Sequence, residues 1–198
     1  MAQRSLKNHA LALLSVLDTK EILNLAKEQY RDSLSMSDRV VALSIIENSE
    51  KHHSKEELQH FYERYRENHI VMSKYLSILA LSQRDGLLER IKELEKSELY
   101  DKSIPNIVRA LIGGFIRNSK FFHAKDGSGY KFVAEKLIEI DPINAQMASR
   151  LAGAFELYEK MNPNSKELMK IELERVVKSE GVSSNLYEIL SKILKVTL

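Results

Sequence analysis

Six histidines and no cysteine set the terms for any chemistry this sequence could perform. None of the six is followed by Glu, so the His-Glu-x-x-His arrangement of a hydrolytic zinc helix is absent. His53, Glu57 and His60 stand four and three residues apart and could share one helix face. A metal needs ligands that converge and are held from behind. These three lie on a strongly charged turn, and a solvated helix face is the plainer reading. The missing cysteines remove disulfide frameworks, thiolate zinc sites and cysteine nucleophiles together.

Two further candidates lie around a glycine-rich stretch. Residues 124–135 align with the 12-residue loop of an EF-hand, with Asp126 third, Ser128 fifth, Gly129 sixth and Glu135 twelfth. Ala124 occupies the first position, where a carboxylate is needed, and Lys131 the eighth, where the loop takes an apolar residue. Gly127-Ser128-Gly129 opening a helix could also offer N–H groups to an anion, but it lacks the preceding strand and the Lys-Ser/Thr of a nucleotide loop. The simpler account is a turn with positive-φ glycines and Ser128 capping the next helix.

The last candidates are two arginines on apolar helices. Arg109 sits between Val108 and Leu111. Arg150 lies one turn after Gln146, beside Ala148, Ala152 and Gly153, whose small side chains would leave a guanidinium room to point into a cavity. A partly desolvated guanidinium fork on a carboxylate is worth about 1.5–3 kcal/mol. An internal ion pair or a bond to a helix C-terminus would explain the same residues, and both readings stay open on the residues alone.

The elements that would position these groups are helices. Apolar residues recur at helical spacing: Leu6, Ala10, Leu13, Leu14 and Leu17; Leu58, Phe61, Tyr62 and Tyr65; Met169, Leu173, Val176 and Val177; Leu186, Ile189, Leu190 and Ile193. Residues 40–46 and 70–81 are apolar nearly all round and should be enclosed by neighbours. Start signals occur at Asp18 with Glu21, Ser54 with Glu57, Asn164 with Glu167, Asp141-Pro142 and Ile104-Pro105. The expected helices are 4–17, 19–32, 37–49, 54–68, 70–81, 85–97, 104–118, 129–140, 143–160, 165–179 and 184–196. About eleven helices with short connections imply antiparallel pairs stacked as an irregular α-α superhelix of the HEAT or armadillo kind. The fold class is all-α, with residues 1–198 as one domain. The one long break, 117–128, is a polar glycine-rich loop where function could concentrate.

Composition narrows the function classes. The 198 residues are 43% hydrophobic and 29% charged, which is globular rather than disordered. Thirty basic and 28 acidic residues leave a net charge of +2 with no long basic run, which argues against nucleic acid. The opening Met1-Ala2-Gln3-Arg4-Ser5 lacks a signal-peptide layout, and no apolar run nears the roughly 20 residues a bilayer requires. A soluble, cytoplasmic protein without a membrane partner is expected.

Several stretches resemble the C-terminal domain of the bacterial aminopeptidase N family. Arg4-Ser-Leu-Lys-Asn8 with its leucine-rich helix and Met36-Ser-Asp-Arg-Val-Val-Ala-Leu-Ser44 are two of them. The closest are Arg109-Ala-Leu-Ile-Gly-Gly-Phe115, Phe122-His-Ala-Lys-Asp-Gly-Ser-Gly-Tyr130 and Asn144-Ala-Gln-Met-Ala-Ser-Arg-Leu151, and Leu186-Tyr-Glu-Ile-Leu-Ser-Lys-Ile-Leu194 is similar too. The resemblance covers essentially the whole chain.

It implies a zinc metalloaminopeptidase of the gluzincin type, whose zinc ligands, general-base Glu, Gly-x-Met-Glu-Asn motif and oxyanion Tyr belong to upstream catalytic domains. This chain would bind no zinc, would be inactive alone, and would close over the active site as a helical superhelix lining the substrate chamber. Arg109 and Arg150 match family arginines that face that chamber, and Gln146 matches a chamber-facing glutamine. The resemblance therefore favours peptide binding, at backbone carbonyls or a C-terminal carboxylate. The alternative is a free-standing α-solenoid scaffold for a protein or peptide partner.

Overall fold

The computed structural model describes residues 2–195. Among them all regular structure is helical, and they fall into two compact units, Met1–Leu94 and Glu95–Leu198. Met1 and Val196, the expected end of the last helix, lie outside the described residues.

The first unit holds α1 (Ala2–Leu14) with a 3-10 turn at Ser15–Leu17, α2 (Lys20–Asp32), α3 (Met36–Asn48), α4 (Lys55–Tyr65), α5 (His69–Ala80) and α6 (Leu87–Leu94). As its apolar run predicts, α3 is the enclosed element, packed by α1, α2, α4 and α5. Ala42, Leu43 and Ile46 on α3 meet Ala26, Tyr30, Leu58 and Phe61 in the core. α5 is covered along most of its length, but Ile70 in its first turn is exposed.

Two starts differ from expectation. Thr19, not Asp18, caps α2, its hydroxyl accepting from Ile22 N–H at 3.4 Å. Asp18 adopts a left-handed φ of 46°, which Asp tolerates, and its carboxylate accepts from Ser49 Oγ at 2.6 Å and Lys51 N–H at 3.1 Å. At α4, Ser54 is the cap residue, but its hydroxyl donates to the Glu57 carboxylate at 2.6 Å instead of accepting an N–H.

Two buried carboxylates hold the unit together. Asp38 accepts from Asn8 Nδ2 at 2.8 Å, Lys7 Nζ at 3.0 Å and Ser33 Oγ at 3.4 Å. Burial alone would raise its pKa, and those bonds outweigh it and hold the carboxyl below its usual range. The two opening stretches of the resemblance are thus wired to each other. Glu47 receives Arg90 Nη1 at 2.7 Å, His53 Nε2 at 3.2 Å and Arg84 Nη1 at 3.8 Å, linking α3 to α6 and to the segments that precede α6 and α4.

The second unit holds α7 (Pro105–Arg117), α8 (Ser119–Phe122), α9 (Ser128–Ile140), α10 (Ala145–Ala152), 3-10 turns at Gly153–Phe155 and Tyr158–Lys160, α11 (Pro163–Val177) and α12 (Ser184–Leu194). α9 is central, packed by α7, α8, α10 and α11. Ile104-Pro105 opens α7 as expected, with Pro at the first helical position.

Elsewhere the sequence signals are reassigned. The helix expected over 143–160 ends at Ala152, and the chain tightens into two 3-10 turns, the first beginning at Gly153. Asp141 closes α9 rather than opening α10, and its carboxylate accepts from Ser183 N–H at 2.7 Å and Oγ at 2.6 Å. Asn144 caps α10 through Met147 N–H, and Asn162, not Asn164, caps α11 through Ser165 N–H.

Candidate functional site

Asn144 sets the start of α10, and with it which residues face out. Met147, Ala148, Leu151 and Ala152 turn inward, leaving Gln146 and Arg150 one turn apart on the exposed face. The small residues near Arg150 therefore do not open a cavity for it. Ala148 and Ala152 are fully buried and let α10 pack closely on α9 and α12. No described residue pairs with the Arg150 guanidinium. Arg109 stands on α7 between buried Val108 and Ala110, and is itself exposed. Among the described residues its guanidinium donates to Asn106 Oδ1, at 3.3 Å, and its stem runs past Gly113, where an added Cβ would lie 3.6 Å from Arg109 Cγ.

α7 and α10 both pack on α9, but no direct bond joins Arg109 to Gln146 or Arg150. What this exposed face can do chemically is donate hydrogen bonds to carboxylates or carbonyl oxygens. In open water each such contact is worth at most about 1 kcal/mol.

The metal candidates disperse. His53 is taken by Glu47, and burial with the nearby Arg84 holds its imidazole below the ordinary range. Glu57 is held by Ser54, Lys27 and Arg31. His60 Nδ1 shares a 2.7 Å hydrogen bond with the Tyr30 hydroxyl, whose pKa burial pushes up to about 12. These three side chains do not fit a zinc site, and among the described residues no group of three or more His, Asp or Glu gathers as a metal would require.

The glycine-rich stretch is structural. Residues 128–135 belong to α9 and not to a calcium loop. Gly127, at φ 75°, precedes the helix where Ser128 was the expected cap. The Asp126 carboxylate accepts from Ser128 N–H at 3.0 Å, which fills the anion position at the helix start and holds that carboxyl low. The break itself contains α8, and Phe122 at its end is buried edge-on against Tyr130 and Phe155, with ring centroids 5.3 and 5.6 Å away. His123 Nδ1 lies 2.9 Å from the Tyr130 hydroxyl, and burial keeps this imidazole below its usual pKa.

Two concavities escaped the sequence reading. One, of about 300 Å³, is lined by Tyr30, Arg31, Arg39, Glu57, His60 and Arg64 among others. Arg39 Nη1 donates to Tyr65 Oη at 2.6 Å there. The other, about 720 Å³, runs beside α1 and includes Arg4, Lys7, Leu14, Leu25 and Leu34. The signal for the second was present in the stripe of α1. Leu6, Ala10, Leu13, Leu14 and Leu17 form an apolar stripe by their spacing, and all five are exposed, while Leu11 is buried.

Residues 1–195 match the family described as "Domain of unknown function (DUF3458_C) ARM repeats". The chain is 31% identical over 195 residues to aminopeptidase N of Escherichia coli K12, a match covering 98% of the chain and 22% of that protein. It is 30% identical over 196 residues to aminopeptidase N of Haemophilus influenzae, again covering 98% and 22%. The crystal structure of Legionella pneumophila aminopeptidase A in complex with aspartic acid superposes with a TM-score of 0.89 at 28% identity, over 97% of this chain and 23% of that one. The chain thus spans about a fifth of the length of the relatives it matches.

Proposed function

The chain belongs to the DUF3458_C family of ARM-repeat domains, and from that premise we propose that it is the C-terminal part of a larger cytoplasmic zinc aminopeptidase. The parent enzyme removes N-terminal residues from peptides. Residues 1–198 act together as the piece that covers the active site and lines the substrate chamber, inert by itself. Zinc, as the metal of the parent, would activate the attacking water and polarise the scissile carbonyl. Its ligands belong to the preceding domains of the same polypeptide.

The observation that carries this reading is similarity to aminopeptidase N along 98% of the chain. The side-chain geometry supports the role of Arg109, Gln146 and Arg150. A guanidinium spent in an internal pair could not take a peptide carboxylate, and Arg150 has no such pair among the described residues. Enclosure by the rest of the enzyme would lift its contact from the exposed value to about 1.5–3 kcal/mol.

Arg150→Ala in the parent enzyme tests this. KM for tri- and tetrapeptides should rise about tenfold or more, with little change for a single-residue alanyl anilide. Equal effects on both substrates would make Arg150 a structural residue. Turnover of the anilide by the isolated chain with added zinc, above a heat-killed control, would refute its inertness.

A further inference from the structure

α1 is built inside out. At 100° per residue, Leu6, Ala10 and Leu13 fall on one side of the helix and Arg4, Asn8 and Leu11 on the other, and the 3-10 turn after it adds Val16 and Leu17. A surface helix ordinarily turns the first set inward. In this chain the polar side faces the unit. Asn8 and Lys7 donate to buried Asp38, and Arg4 donates to Ser35 Oγ at 3.0 Å. The leucines point away: Leu6 is 73% exposed, Leu13 75%, Val16 83% and Leu17 62%. Single exposed apolar side chains are unremarkable, but four within α1 and the turn that follows it are not.

The orientation is not a matter of loose attachment. Rolling α1 to bury its leucines would break the Lys7 and Asn8 bonds to Asp38 and leave that buried carboxylate only the longer 3.4 Å bond from Ser33 Oγ, which is costly. The polar contacts therefore select the outward leucines. The stripe also continues, through Ala10 and Leu14, into the 720 Å³ groove whose far wall carries fully exposed Leu34 and half-exposed Leu25.

We infer that Leu6 and Leu13 of α1, with Val16 and Leu17 of the 3-10 turn that follows it, form the docking surface for the remaining part of the same parent polypeptide, whose contacting surface is apolar. This rests on the aminopeptidase reading and specifies where that partner attaches. The occupant follows from length: the relatives match along this entire chain, yet nearly four-fifths of each lies beyond the matched stretch. An intramolecular partner is thus present at high effective concentration, and it supplies the surface that this unit leaves unmatched.

These 198 residues hold no cysteine, so a thiol introduced on this face is the one thiol in its tryptic peptide. In the parent enzyme, Leu13→Cys and, separately, Leu17→Cys are labelled with a maleimide, and the modified tryptic peptide is quantified by mass. The reference is the same peptide in urea-unfolded enzyme. Docking requires labelling at least tenfold slower in the native enzyme at both sites, unchanged on dilution. Protection below tenfold overturns the inference, and so does protection that disappears on dilution, which would assign the face to a second copy. Anilide turnover by the same preparations reports on the aminopeptidase reading independently. Active enzyme with freely labelled thiols sinks only the docking surface, and inactive enzyme with protected thiols sinks only the activity.

Discussion

Gly129→Ala sets helix propensity against close packing, and the structure decides the sign. Gly129 is the second residue of α9, where alanine is favoured over glycine by at most about 1 kcal/mol. The added Cβ would stand 2.4 Å from the carbonyl oxygen of Phe122 and 2.5 Å from that of Phe121. Carbon–oxygen contacts settle near 3.3 Å or more, so α8 and α9 must part by about 0.9 Å. Both obstacles are backbone atoms and cannot rotate away. Parting also loosens Phe122 from Tyr130 and Phe155, rings that are buried together.

Overpacking of this severity belongs at the upper end of its range, about 3 kcal/mol. Subtracting the propensity gain leaves a net loss of about 2 kcal/mol, which for a chain of this size lowers Tm by roughly 4–8 °C. Urea melts followed by far-UV circular dichroism measure it. Two other glycines separate the contributions. Gly86, at φ 73°, has no atom within 4 Å of an added Cβ, so Gly86→Ala should cost only the left-handed penalty of about 1 kcal/mol. Gly127, at φ 75°, adds contacts of 3.2–3.3 Å to the flexible Leu168 side chain and should fall between. Gly129→Ala at or above wild-type stability would refute the close approach of α8 to α9.

Glu47→Ala should cost about 3 kcal/mol in chemical denaturation, because it leaves His53, Arg84 and Arg90 facing one another around an emptied site. The two guanidiniums are a third exposed and regain some hydration, which keeps the cost at the low end; a loss under about 1 kcal/mol would show the network is dispensable. The imidazoles of His53 and His123 are held below their ordinary pKa of 6.5, chiefly by burial. Stability should thus be fully present above pH 6.5 and decline as pH falls beneath it, when the unfolded chain binds protons that the folded chain resists. His123→Gln should shallow that decline, and an NMR titration midpoint for His123 at or above 6.5 would contradict it.

Helix type and most of the longer helices were legible because the apolar period is local, while the short α8 fell inside the expected break. Enclosure of residues 40–46 could be read from apolar residues all round α3. Which residue caps which helix was less legible, because Asp18 and Asp141 carry cap-forming side chains that long-range partners claim. Their carboxylates go to Ser49 and Ser183, 31 and 42 residues away. Spacing also could not tell that the block from His123 to Tyr130 is specific for a packing reason. The need for glycine at 129 arises from a backbone 7 residues earlier that returns against it.

The same distinction governs the site. A sequence shows that Arg150 can make a fork and that its neighbours are small, but not which side of α10 those neighbours serve. Once Ala148 and Ala152 are seen to seat the helix on α9 and α12, the arginine is left facing out beside Gln146. Facing out, it is a weak ligand. Leu6 and Leu13 of α1 pose the matching problem: they are strongly apolar and stand exposed on their own unit. Both features are unfavourable or idle in a chain that ends at its own surface, and both become useful if more polypeptide surrounds it. Covering α1 removes apolar area from water, and enclosing Arg150 lowers the dielectric around its fork. A free-standing scaffold would have to explain the two separately.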